Sequence, residues 1–215
     1  MSFLNQLKNQ ADALRKQQTA QLKDVEASTA RCEAAARIAH HYLGELARQL
    51  NVLAPDGPKF TLDGKTPWPA MKLVAFRSDA RKKMLRDKEV YDYIAMGWDA
   101  VPKIGAPVGG VVTVNFPPDL ERVQKRIAAG AIEHERKDVR HPETNKLQAY
   151  RFEYVTRTRG SLVITPDHEQ GTMAFRLVNV DGFGVHTVTH PADGVRDSLL
   201  DEVAKLLVGQ PSRFL

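Results

Sequence analysis

The densest cationic run in the chain is Arg77, Arg81, Lys82, Lys83, Arg86 and Lys88, opposed locally only by Asp79 and Asp87. A second, shorter group is Arg122, Lys125 and Arg126, and Arg157 and Arg159 follow further on. Side chains of this type bind a polyanion when they converge, because neutralising adjacent phosphates releases condensed counterions. The formal net charge of +5 is unevenly spread. Residues 161–215 carry four basic against seven acidic groups, which leaves +8 on residues 1–160. Nucleic acid or another polyanion is therefore one candidate partner, provided the two basic groups share a face.

Other chemistry is excluded residue by residue. Gly64-Lys65-Thr66 has the ending of a phosphate loop, but position 59 is Lys59 where that loop needs glycine, and Pro67 follows where a helix must start. Gly105, Gly109 and Gly110 fail the dinucleotide spacing and precede a valine-rich strand instead of following one. No Gly-x-Ser-x-Gly elbow occurs. His186 and His190 would share a face of a strand, yet stand about 13 Å apart, too far for one ion. His40 and His41 diverge on a helix. Glu133-His134-Glu135 opens a charge-alternating stretch of the kind that keeps a sheet edge soluble. No catalytic residue, cofactor or metal ligand is assigned.

Cys32 is the single cysteine, so no intrachain disulfide can form. It falls on an apolar helical row and reads as a small buried hydrophobe. A lone cysteine, no apolar run long enough to cross a membrane, and an N-terminus without a basic head and apolar core favour a cytoplasmic protein. Tyr150-Arg151-Phe152-Glu153-Tyr154 interleaves aromatic and charged residues as a single-strand stacking platform does. The same alternation describes a strand with one buried face, and core packing is the expectation for the three rings.

The elements that must position these groups start with a segment free of proline. Residues 1–50 contain one glycine, Gly44, and an apolar row spaced three and four apart: Leu4, Leu7, Ala11, Leu14, Val25, Cys32, Ala35, Ala39, Tyr42 and Leu46. This predicts one long, coiled-coil-like helix. Its first half is Gln-rich and weak, with Gln18 and Gln21 on the row; residues 34–50 are dense enough to dock on a body. Six prolines and glycines across 51–69 mark a boundary, giving an oligomerisation segment, 1–50, and an α+β domain, 51–215.

Strands are expected over 71–76, 90–98 and 108–116, with 78–88 open between a short helix and a hairpin end. Pro117-Pro118-Asp119 opens a short central helix with stripe Leu120, Val123, Ile127, closed by Gly130. From Ala131 the period becomes two, and turn signals divide it into an antiparallel meander. A last helix from about Asp193 to Gly209 shows Val195, Leu199, Val203 and Leu206 to the sheet. The fold class is α+β: a long N-terminal helix, a mainly antiparallel sheet, a short central helix, and a C-terminal helix packed on one face.

A helix of this length outruns a body of 165 residues about 40 Å across, so part of its apolar row needs a partner. The leading expectation is a non-enzymatic interaction or scaffold protein that homo-oligomerises through Leu4, Leu7, Leu14 and Val25. The alternative is a polyanion-binding protein using residues 77–88 and 122–126. A third reading is a small apolar ligand held between the last helix and the sheet.

Overall fold

A computed structural model describes residues 3–215, without the side chains of residues 3–7, 9–11, 13 and 16–21. Leu4 and Leu7, assigned to self-association from the sequence, lie outside the described side chains.

The proline-free start forms one helix, α1, Phe3–Leu53, of 51 residues and so about 76 Å long. From Ser28 onward its stripe is buried: Cys32, Ala35, Ala36, Ala39, Leu43, Ala47 and Leu50. Alanines dominate this stripe, which lets the helix lie close on a sheet. That sheet has five antiparallel strands in the order β1-β2-β6-β7-β8. They are β1, Met71–Leu85; β2, Lys88–Pro102; β6, Thr158–Asp167; β7, Thr172–Val178; and β8, Val185–Pro191. Its inner face presents Leu73, Ile94, Met96, Leu162, Ile164, Met173 and Phe175, all fully or almost fully buried. Alternate residues form an outer face.

The last helix, α3, Asp197–Leu207, lies beside α1 on the inner face, where the Tyr42 hydroxyl donates to Asp201 Oδ1 at 2.6 Å. Its Leu200, Val203 and Leu207 are buried, and Phe214 beyond it packs edge-on against Phe175. The helix starts later than its apolar pattern suggests. Asp193 belongs to a separate 3-10 turn, Ala192–Gly194, and the extended Arg196 interrupts the two.

Of the two forms open for residues 78–88, a short helix or a hairpin end, the chain takes the hairpin. Residues 78–88 are strand and turn: β1 and β2 form one long hairpin whose two-residue turn, Arg86-Asp87, has positive φ at both positions (48° and 63°). A turn of this hand is normally written Asn-Gly or Asp-Gly, so its sequence signal was absent. The expected single meander is divided between two sheets. β3, Gly109–Val114; β5, Leu147–Val155; and β4, His134–Arg140, form a separate sheet in the order β3-β5-β4. The chain changes sheets at Thr156-Arg157, where Thr156 Oγ1 donates to the Val108 carbonyl and accepts from the Val108 amide.

The small sheet buries Val112, Val114, Phe152 and Tyr154 against α2, Pro117–Gly130, through Val123 and Ile127. The proline- and glycine-rich segment before β1 is not a bare linker. Its Phe60, Leu62 and Trp68 are buried, and Trp68 stacks on Tyr154 at 5.6 Å. One continuous buried cluster joins α1, both sheets, α2 and α3.

Candidate functional site

Pairing decides which of the cationic residues are available. Lys82 bonds Glu89 at 2.9 Å, Lys83 meets Asp92 at 2.9 Å, Arg86 meets Glu169 at 3.3 Å, and Lys88 lies 3.9 Å from Glu26. Each belongs to the end of the β1–β2 hairpin, where Glu89 and Asp92 come from the facing strand, Glu169 from the β6–β7 turn and Glu26 from α1. The helix α2 group is engaged too. Arg122 pairs with Asp119, Lys125 with Glu121, and Arg126 donates from Nη1 to the Thr61 and Leu62 carbonyls at 3.0 Å. Among the described residues only Arg77 and Arg81 of these nine lack a hydrogen-bond or ion-pair partner. Exposed pairs contribute little stability, but they lower the local charge that a polyanion would meet.

Arg122 and Arg126 face the loop 61–66, whereas Arg77 and Arg81 stand on the outer face of the five-stranded sheet. Register fixes that face: Arg77 lies opposite Gly97, Gly97 opposite Ser161, and Ser161 opposite Val178. Two residues along each strand, Arg159 and Arg176 share the same side. Arg77, Arg159 and Arg176 line one pocket of about 380 Å³, floored by Gly97, Gly160 and Ser161 and walled by Ala128, Ala129 and Val178. Arg176, like Arg77, has no partner among the described residues. Arg159 Nε lies 3.6 Å from Oδ1 of the buried Asp99, whose other oxygen accepts from Arg157 at 2.6 Å.

Sequence reasoning missed Arg176 and the pocket. Arg176 sits in the acidic stretch of the chain, and its approach to Arg77 crosses the intervening strands β2 and β6. The only signal was the run of small residues, Gly97, Gly160 and Ser161, at positions that proved to be neighbours.

Comparisons with family models, with characterised proteins and with solved structures returned no match.

At Gly64-Lys65-Thr66 the structure forms a closed turn around Asp63. Its carboxylate accepts from the Lys65 and Thr66 amides at 2.8 and 2.7 Å and from both threonine hydroxyls. Burial works to raise the Asp63 pKa, but these four bonds outweigh it and hold the group down at about 2. Cys32 donates weakly to the Asp167 carbonyl at 3.3 Å, and burial, then the Asp167 charge, pushes its thiol up to about 11. No group of three potential metal ligands occurs among the described residues. Phe152 and Tyr154 are core, and Tyr150 is half-buried with the Arg136 guanidinium 4.1 Å above its ring.

The association row is only partly described. Leu14 is 59% exposed, Leu22 is 57% exposed and Val25 is half-buried. They continue, toward the N-terminus, the same 3-4 spaced stripe that is buried from Ser28 onward. No helix among the described residues is long and apolar enough to cross a membrane.

Proposed function

We propose that this protein is a non-enzymatic interaction or scaffold protein that self-associates through the N-terminal half of α1. The observation that carries the reading is an apolar stripe that continues past its own body. About 25 residues of helix, roughly 38 Å, precede Ser28, the first buried position among the described side chains. A second copy of the same stripe is the complementary surface always present at equal concentration. A fully buried leucine contributes about 1.5 to 3 kcal/mol, so covering the exposed parts of Leu14 and Leu22 on two chains supplies roughly 4 to 7 kcal/mol before ordering costs. Leu4, Leu7 and Val25 extend the row in sequence. Burial of an unpaired cysteine accords with a reducing compartment such as the cytoplasm.

Light scattering on the full chain at micromolar concentration tests the reading. We expect a defined oligomer that becomes monomeric in the double variant Leu14→Lys, Leu22→Lys with unchanged circular dichroism of the body. A monomeric wild-type chain, or an oligomer indifferent to both substitutions, overturns it.

A further inference from the structure

We propose that the pocket on the outer sheet face binds the phosphate monoester group of a small organic molecule, with Arg77 and Arg176 as its principal ligands and Arg159 beside them. The inference is independent of self-association.

The sheet builds the site from strands far apart in sequence. Arg77 is on β1 and Arg176 on β7, three strand spacings across and two residues along the sheet and so about 16 Å apart, with β2 and β6 between. An arginine side chain reaches about half that distance, and both line the same pocket. Ala95 and Val163 stand between them on the same face, and the floor itself carries only Gly97 and Ser161, so both guanidiniums can reach one ligand there. A large side chain at either position would hold the two guanidiniums apart.

Charge selects the ligand. Arg159 is partly neutralised by Asp99, whereas Arg77 and Arg176 have no anionic partner among the described residues. Two unpaired guanidiniums match the charge of about −1.5 to −2 on a phosphate monoester near neutral pH. Their planar forks suit its oxygens, and the Ser161 hydroxyl is a further donor at the floor. A nucleic-acid strand needs instead a succession of free cations. Along the hairpin those cations are paired with Glu89, Asp92, Glu169 and Glu26, and Asp79 stands on the sheet face itself. Beside the arginines the wall is apolar, formed by Ala128, Ala129 and Val178. The volume, about 380 Å³, lies within the range of small-molecule sites. An apolar organic body next to the phosphate accounts for both features.

Calorimetric titration of the full chain with inorganic phosphate and with phenyl phosphate, at constant ionic strength set by chloride, is the test. We expect both to bind, phenyl phosphate at least threefold more tightly. Arg77→Gln and Arg176→Gln should each weaken phenyl phosphate at least about tenfold, the loss of one charge-assisted contact. Arg81→Gln, on the same face but outside the pocket, should leave it unchanged. All three sites are exposed, and unaltered tryptophan fluorescence confirms that the variants fold. Absence of heat with both probes at millimolar concentration overturns the proposal. So does equal loss in Arg81→Gln, or tighter binding of a single-stranded oligonucleotide than of phenyl phosphate, since either would mean a diffuse cationic field. Equal affinity for the two probes overturns the organic monoester.

Discussion

Replacing Gly160 by alanine should destabilise the protein through one indole. Gly160 lies opposite Trp98 in the β2–β6 register, and a Cβ there would come within 3.0 Å of Trp98 Nε1, Cε2 and Cζ2. Trp98 cannot yield cheaply. It is 2% exposed and stacks on Phe76 with ring centroids 5.8 Å apart. Overpacking a tight core costs about 1 to 3 kcal/mol, and complete loss of a buried tryptophan about 3 to 5 kcal/mol. A collision with a rigid ring belongs between these, so Gly160→Ala should cost about 2 to 4 kcal/mol in urea unfolding followed by circular dichroism. In a Trp98→Leu background the Cβ has room, and the same substitution should cost under about 0.5 kcal/mol, a coupling of at least about 1.5 kcal/mol. Gly97→Ala is the control. Its added Cβ meets only the Gly160 carbonyl at 3.9 Å, and its cost should stay within about 0.5 kcal/mol. If Gly160→Ala costs the same with and without Trp98, the steric account fails and backbone freedom explains the glycine.

Three further outcomes follow from named contacts. Asn51→Ala should cost about 1 to 3 kcal/mol in the same unfolding assay, because the Asn51 amide satisfies both the amide and the carbonyl of Phe76 (2.8 and 2.9 Å) where Ala75, at φ 56°, bulges β1; an unchanged midpoint refutes that bond's role. The double variant Arg86→Asn, Asp87→Gly should stabilise by about 0.5 to 1 kcal/mol by relieving two left-handed residues in the hairpin turn. A loss of stability would mean that the exposed Arg86–Glu169 pair outweighs turn geometry. Cys32, with its thiol pushed up to about 11, should react with a thiol reagent at pH 8 only as fast as the protein opens. Its raised pKa favours the neutral form, so the stability it contributes is fully present below its ordinary value of 9.0 and is lost as pH rises through about 11. Cys32→Ala should flatten that limb of the stability profile, and labelling at the rate of an exposed thiol would contradict the burial.

Local order determined much of the fold before any contact was known. A proline-free row at 3-4 spacing can only be a long helix, and that row showed which side of α1 would dock. Pro117-Pro118 and Gly130 bounded α2, since each acts through its own backbone. Burial of Cys32, Phe152 and Tyr154 followed from periodicity alone, because a helix or strand has one face to give to the core.

What pairs across the chain was decided by tertiary structure. Arg77, Lys82 and Arg126 are alike in sequence, yet one has no partner among the described residues, one is bound to Glu89 and one holds a loop, because register and docking choose the partner. The same rule split the meander. A period of two says that a residue has a buried side, not which strand lies next to it, and β5 found β3 while β6 found β2. Arg77 and Arg176 were brought to one pocket by that strand order: 98 residues of chain lie between them, and only the sheet sets their distance.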